Sequence, residues 1–318
     1  MTHTQITYLA FGIVLILALI FDLGLMSKKS AGITMRKALF QTLFWVTLAL
    51  GFGGFMWYEE GQKTALEYIS GYLMEWSLSI DNIFVFVLIF SYFKVKENFI
   101  PRVLLIGILM AIVFRIIFIT LGVELVNRFH WLLYLFGAFL IYTGMKMFTA
   151  TQDEEFDPHD SGVYKFLKRY LPITMEDGNG KYRIRRDGKP LYTSLFVVVV
   201  MLATTDIVFA VDSIPAVMGI TRNELVIYTS NIFAVLGLRS LFFLLRGAVS
   251  KFDYLQQGIA IVLVFIGLKM LLEELVSTFI DKNQQVLISL FVIVSCIGGS
   301  ILYSIYHDKK GVPKDRID

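Results

Sequence analysis

Met74-Glu75-Trp76-Ser77-Leu78-Ser79-Ile80-Asp81-Asn82 sets two carboxyl groups and an amide inside an apolar run from about residue 66 to residue 93. A charge at mid-bilayer costs about 2.5–3.5 kcal/mol on insertion scales, so an ionisable residue in a spanning run is a functional candidate. A related stretch, Thr205-Asp206-Ile207-Val208-Phe209-Ala210-Val211-Asp212-Ser213, begins its acids 131 residues later. In both stretches the acids are six residues apart, and the second is followed by a small polar residue.

Outward from these stretches the chain is unusually apolar. Its 318 residues are 56% hydrophobic, 15% aromatic and 17% charged, with mean hydropathy +0.68. A soluble domain carries about 25% charged residues, so the composition indicates a single polytopic membrane domain spanning 1–318. The lone Cys296 excludes an internal disulfide and reads as a packed thiol. Residues 6–26 read as a retained first helix, because no basic segment precedes them and the run has full spanning length.

Nine helical spans are expected, at about 6–26, 38–58, 66–93, 101–122, 130–149, 192–218, 224–245, 254–273 and 285–306. The runs are continuously apolar rather than alternating, which favours helices over a barrel. With the N-terminus outside, 21 lysines and arginines fall in inside segments and four in outside ones. That bias predicts N-terminus out and C-terminus in. The remaining bases, Arg115, Lys146, Arg239 and Lys269, lie within spans.

Residues 150–191 form the one sizeable polar segment, expected to be a cytoplasmic loop. Asp153, Glu154, Glu155, Asp157 and Asp160 cluster there with His159, a pattern better suited to a solvated linker than to a metal sensor. Asp187-Gly188 is a plausible hairpin turn.

Two three-helix units emerge, 66–149 and 192–273. Glu75, Asp81 and Asn82 match Asp206, Asp212 and Ser213; Arg115 matches Arg239; Gly144 and Lys146 match Gly267 and Lys269. The Arg-to-Gly separations are 29 and 28 residues. An odd number of spans per unit makes the second unit inverted, an architecture that secondary transporters use to build midplane sites.

Six residues advance an α-helix by about 600°, leaving the paired acids roughly 120° apart and about 9 Å along the axis. Glu75, Ser79 and Asn82 therefore share one face, and Asp206 and Ser213 another. Asp81 and Asp212 point elsewhere unless the helix breaks, and Pro215 could loosen the second one. Carboxylates with amide and hydroxyl oxygens suit hard cations such as Mn²⁺, Mg²⁺ or Ca²⁺. The metal set is Glu75, Asp81, Asn82, Asp206, Asp212 and Ser213, with Ser79, Thr205 and Asn231 as additional polar ligands. Buried acids also carry protons, or merely neutralise Arg115, Arg239, Lys146 and Lys269 as charge-balancing bases.

Three motifs carry a resemblance: Glu75-x-Ser77-Leu78-x2-Asp81-Asn82, Asp206-x2-Phe209-Ala210-x-Asp212-Ser213-Ile214-Pro215-Ala216, and Thr229-Ser230-Asn231-x-Phe233-Ala234-x2-Gly237-Leu238-Arg239. Together they resemble the TerC/Alx family of integral membrane proteins, over nearly the whole chain. The resemblance implies nine helices in a bacterial-type inner membrane and export of Mn²⁺ from the cytoplasm. It also brings a link to tellurium resistance. Trp76 stands where a lysine is frequent in the family, and Ala203 where some members carry a glutamate.

The leading expectation is a secondary transporter exporting a divalent metal, Mn²⁺ first, with proton coupling as the natural compensation for adding positive charge to a buried site. It is no enzyme and needs no cofactor; its partners are the metal ion and membrane lipid, not nucleic acid. The alternative class is a membrane scaffold or assembly factor that helps exported proteins acquire metal, or a metal-stress protein. An intramembrane aspartyl protease would carry Gly-x-Gly-Asp, and a nucleotide-driven pump Gly-x4-Gly-Lys-Ser/Thr; neither is present.

Overall fold

The computed structural model describes residues 2–27, 34–149, 161–186, 189–246 and 254–309. Its long helices are α1 (His3–Ser27), α2 (Met35–Glu60), α3 (Gln62–Tyr92), α4 (Ile100–Arg128) and α5 (Leu132–Thr149). After an extramembrane segment come α7 (Ser194–Ile220), α8 (Glu224–Leu245), α9 (Leu255–Leu271) and α11 (Lys282–Lys309). Short helices α6 (Gly162–Tyr170) and α10 (Glu273–Phe279) complete the set. Among the described residues, seven helices are long and apolar enough to cross a membrane, while α5 and α9 are apolar but shorter. All nine coincide with the expected spans to within a few residues. The two short helices did not stand out in the sequence, being too brief for a hydrophobic period.

Burial sorts the helices into layers. The apolar window of α8 is 94% buried, against 17% for α1 and α11. The exposed faces of the outer helices are apolar too, with Leu9, Ile16, Leu17 and Ile20 turned outward from α1. Such a surface has no place in water and suits lipid. The chain is an all-α integral membrane protein, multi-pass, with α8 at its centre.

The packing partners are specific: α3 lies on α8, α4 on α7, and α5 on α9. The α5–α9 seam depends on glycine. A Cβ on Gly137 would stand 3.0 Å from the Gly267 carbonyl oxygen, and one on Gly144 would stand 2.7 Å from that of Ala260. Only hydrogen fits at such approaches, the general device for close helix packing in membranes. Gly61 joins α2 to α3 at φ 88°, a conformation that glycine alone adopts without strain.

Outside the helical bundle, β1 (Arg183–Arg186) and β2 (Lys189–Tyr192) pair antiparallel with Arg186 opposite Lys189. The expected turn at Asp187-Gly188 lies outside the described set. The acidic cluster Asp153–Asp160 also lies outside it. The hairpin region docks on the α3–α4 connection: Lys96 Nζ lies 2.6 Å from Asp177 Oδ2, and the Arg102 guanidinium sits over the Tyr182 ring at 5.2 Å. The Lys96 contact holds the Asp177 carboxyl below its usual range, aided by the Asn179 backbone N–H.

Candidate functional site

Four helices bring one side chain each to a common point in the interior. Arg115 of α4 is 1% exposed and occupies its middle. Its Nε and Nη2 donate to Asp206 Oδ2 and Oδ1 of α7, both at 2.9 Å, forming a two-pronged fork. Its Nη1 donates to Glu75 Oε1 of α3 and, at 3.1 Å, to Asn231 Oδ1 of α8. Asn231 is oriented by its own amide, which donates to the Ile227 carbonyl at 3.0 Å. Planar guanidinium geometry explains why an arginine fills this position: a fork can serve two carboxylates at once, and a point charge cannot.

The balance is uneven. Two carboxyl groups share one guanidinium in a site sealed from water. Among the described residues Glu75 Oε2 and the hydroxyls of Ser79 and Ser213 make no hydrogen bond of good geometry, Ser213 lying near enough to Glu75 for a weak one. Ser213 stands beside Glu75, and Ser79 is one turn further along α3. All three residues are buried. Unpartnered buried oxygens are rare and costly in native proteins. Hard oxygen donors of this kind match a hard divalent ion or a proton rather than a soft metal.

The other expected ligands divide. Glu75, Asp206, Ser213, Ser79 and Asn231 come together. Asp212 does not: it is half-buried on another face of α7, where Thr143 Oγ1 of α5 lies 3.5 Å from its Oδ1. α7 continues as helix through Pro215, so the six-residue spacing separates the two acids as helical geometry requires. Thr205 is half-buried next to Asp206, and Asn82 is buried on the Glu75 face. The Asp81 backbone lies within α3, but its side chain is outside the described set. Among the described residues no three His, Cys, Asp or Glu gather into a metal cluster; the site is built from two acids, an amide and hydroxyls.

The bases also divide. Arg115 engages Glu75 and Asp206. Lys269 Nζ donates to Ser289 Oγ of α11 at 3.0 Å, Lys146 is exposed at the end of α5, and Arg239 is buried in α8. The motifs did not single out Thr143 or Glu67. Glu67 was legible as an acid within the apolar run, eight residues and about 80° of helical turn before Glu75.

A helical membrane protein with a charged, oxygen-lined interior site is thus the class defined by fold and geometry. The family described as "Integral membrane protein TerC family" matches residues 60–311, and the chain belongs to it. An uncharacterised membrane protein of Myxococcus xanthus is 41% identical over 309 residues, covering 97% of this chain and 93% of that one. A protein of Escherichia coli (strain K12) named "Putative membrane-bound redox modulator Alx" is 39% identical over 316 residues, covering 96% and 98%. A membrane protein of Rickettsia felis is 38% identical over 293 residues. No solved structure matches the chain.

Proposed function

We propose that this protein is a secondary transporter that exports a divalent cation, Mn²⁺ first, through the site around Glu75. One observation carries the reading: Glu75 is held by Arg115 through one oxygen, while the other has no close hydrogen-bond partner among the described residues, with Ser213 beside it and Ser79 one turn along α3. A cation binds on that free side without breaking the Arg115–Asp206 fork. Charge then dictates the coupling. With both acids ionised the cluster carries one negative charge, which a single proton on Glu75 neutralises and a divalent ion overshoots. Metal and proton compete for the same oxygen, so inward protons exchanging for outward metal is the expected cycle. The choice of Mn²⁺ comes from the family resemblance.

The architecture that serves this function has nine spans, the N-terminus outside, and two inverted units, α3–α5 and α7–α9. The packing supports the inversion. The offset of 123 residues that aligns Gly144 with Gly267 also aligns Gly137 with Ala260. The two close approaches, Gly137 to Gly267 and Gly144 to Ala260, therefore exchange under it. The α3–α8 and α4–α7 pairs exchange in the same way. The membrane expected is the bacterial-type inner membrane.

Purified protein in vesicles should move Mn²⁺ with a rate that depends on the proton gradient, and E75Q should abolish that flux while the protein stays monodisperse. Wild-type flux in E75Q would sink the reading.

A further inference from the structure

Glu67 takes no part in the cluster around Arg115. It lies eight residues before Glu75 on α3, about 12 Å along the axis at 1.5 Å per residue. It is buried, 8% exposed, yet lines a cavity of about 300 Å³ at the bundle end where α3, α7, α9 and α11 meet. Lys63, Thr221, Arg222, Lys269 and Glu273 line it as well. Thr221 Oγ1 donates to Glu67 Oε2, and Lys63 Nζ stands 3.8 Å from Oε1. Arg222 and Glu273 pair with each other, so they leave Glu67 to Lys63 and Lys269.

The stretch from Glu67 to Glu75 carries a buried carboxyl group at each end. Glu67, Gly71, Glu75, Ser79 and Asn82 recur at spacings of four, four, four and three, a stripe that winds about 120° around α3 from Glu67 to Ser79. All five are buried. At Gly71 an added Cβ would stand 3.0 Å from Ser230 Oγ, so α8 presents a hydroxyl to the face midway between the two carboxylates.

We propose that Glu67 is a second carboxylate station for the transported divalent cation, between the Glu75 site and the water-facing cavity. It rests on the transport reading above. An arriving ion takes the place of the Lys63 ammonium, which is loosely held on a side chain 42% exposed and free to swing into water. Lys269 cannot swing: Ser289 anchors its ammonium at the cavity wall. Its fixed positive charge weakens the station and drives the ion onward, the property that a release site needs.

The test uses Mn²⁺ alone, titrated into the purified full-length protein with the free ion followed by electron paramagnetic resonance. Two binding classes are expected. E67Q should lose the weaker class and keep the tighter one, and E75Q should do the reverse. In vesicles E67Q should slow flux by about tenfold or more, the scale of losing one charged hydrogen-bonded contact. A single binding class in wild type, or two unaltered classes in E67Q, overturns the proposal. If E67Q is not monodisperse, carbodiimide labelling of Glu67 in the wild-type protein replaces it. Protection by Mn²⁺ at the weaker-class concentration supports the station, and labelling that Mn²⁺ leaves unchanged overturns it. Both classes without any wild-type flux would defeat the transport reading while leaving the second station standing.

Discussion

Arg115 is tolerated at 1% exposure because Asp206, Glu75 and Asn231 all accept from it. Removing it leaves two carboxylates facing each other out of reach of water. Breaking a buried ion pair from one side costs about 3–5 kcal/mol, so R115M should lower thermal stability by that order in detergent. R115K tests geometry rather than charge. A lysine keeps the charge but cannot make the two-pronged bond to Asp206 and reach Glu75 together, so it should recover only part of the loss. Full recovery would show that charge alone matters. At this scale the sequence was informative about identity: Glu75, Asp206, Ser213, Asn231 and Arg115 were all candidates from motif and spacing. It left open whether the acids bind metal or balance bases. The contacts divide that question atom by atom, with one oxygen of Glu75 on Arg115 and the other unpartnered.

Between elements, helical phase explains why the two acids of α7 part company. Asp206 faces α4, and Asp212 faces Thr143 of α5. Continuation of the helix through Pro215 preserves that phase, as the membrane context allows when neighbouring helices enclose the site. The α5–α9 seam is the most sensitive contact of this kind. With its Cβ 2.7 Å from the Ala260 carbonyl oxygen, any side chain at Gly144 forces the helices apart. Overpacking of this sort costs about 1–3 kcal/mol, so G144V should reduce the unfolding temperature, and G12V should not. A Cβ on Gly12 meets nothing within 4 Å. Equal effects from the two variants would remove the seam's special status. The glycines at 137, 144 and 267 were visible in sequence, but their partners were not, because helix pairing depends on which faces meet.

Across the whole molecule, the basic residues carry the topology. Lys28, Lys29, Lys94, Lys96 and the 165–189 group share one side if the N-terminus is outside. The structure puts Lys96 against Asp177 and Arg102 against Tyr182, so the α3–α4 connection and the hairpin segment do lie on the same side of the bundle. Single cysteines introduced at Lys63 and at Lys181 in a C296S background should label from opposite faces of intact cells. An impermeant maleimide should reach residue 63 and not 181. Labelling of both, or of 181 alone, would reverse or break the proposed orientation.

The sequence by itself determined what one-dimensional patterns can carry. It set the membrane class, because long apolar runs find no other solvent, and the helix positions, because run length and turn residues are local. It also named the charged residues in those runs, because each is conspicuous against an apolar background. Tertiary structure alone decided which of them meet. Arg115 reaches Asp206 across 91 residues of chain, and Thr221 reaches Glu67 across 154. Such pairings follow from how α3, α4, α7 and α8 pack, a property of surfaces rather than of spacing. The opening stretch thus divides: Glu75 enters the central cluster through packing, while the Asp81 side chain lies outside the described residues.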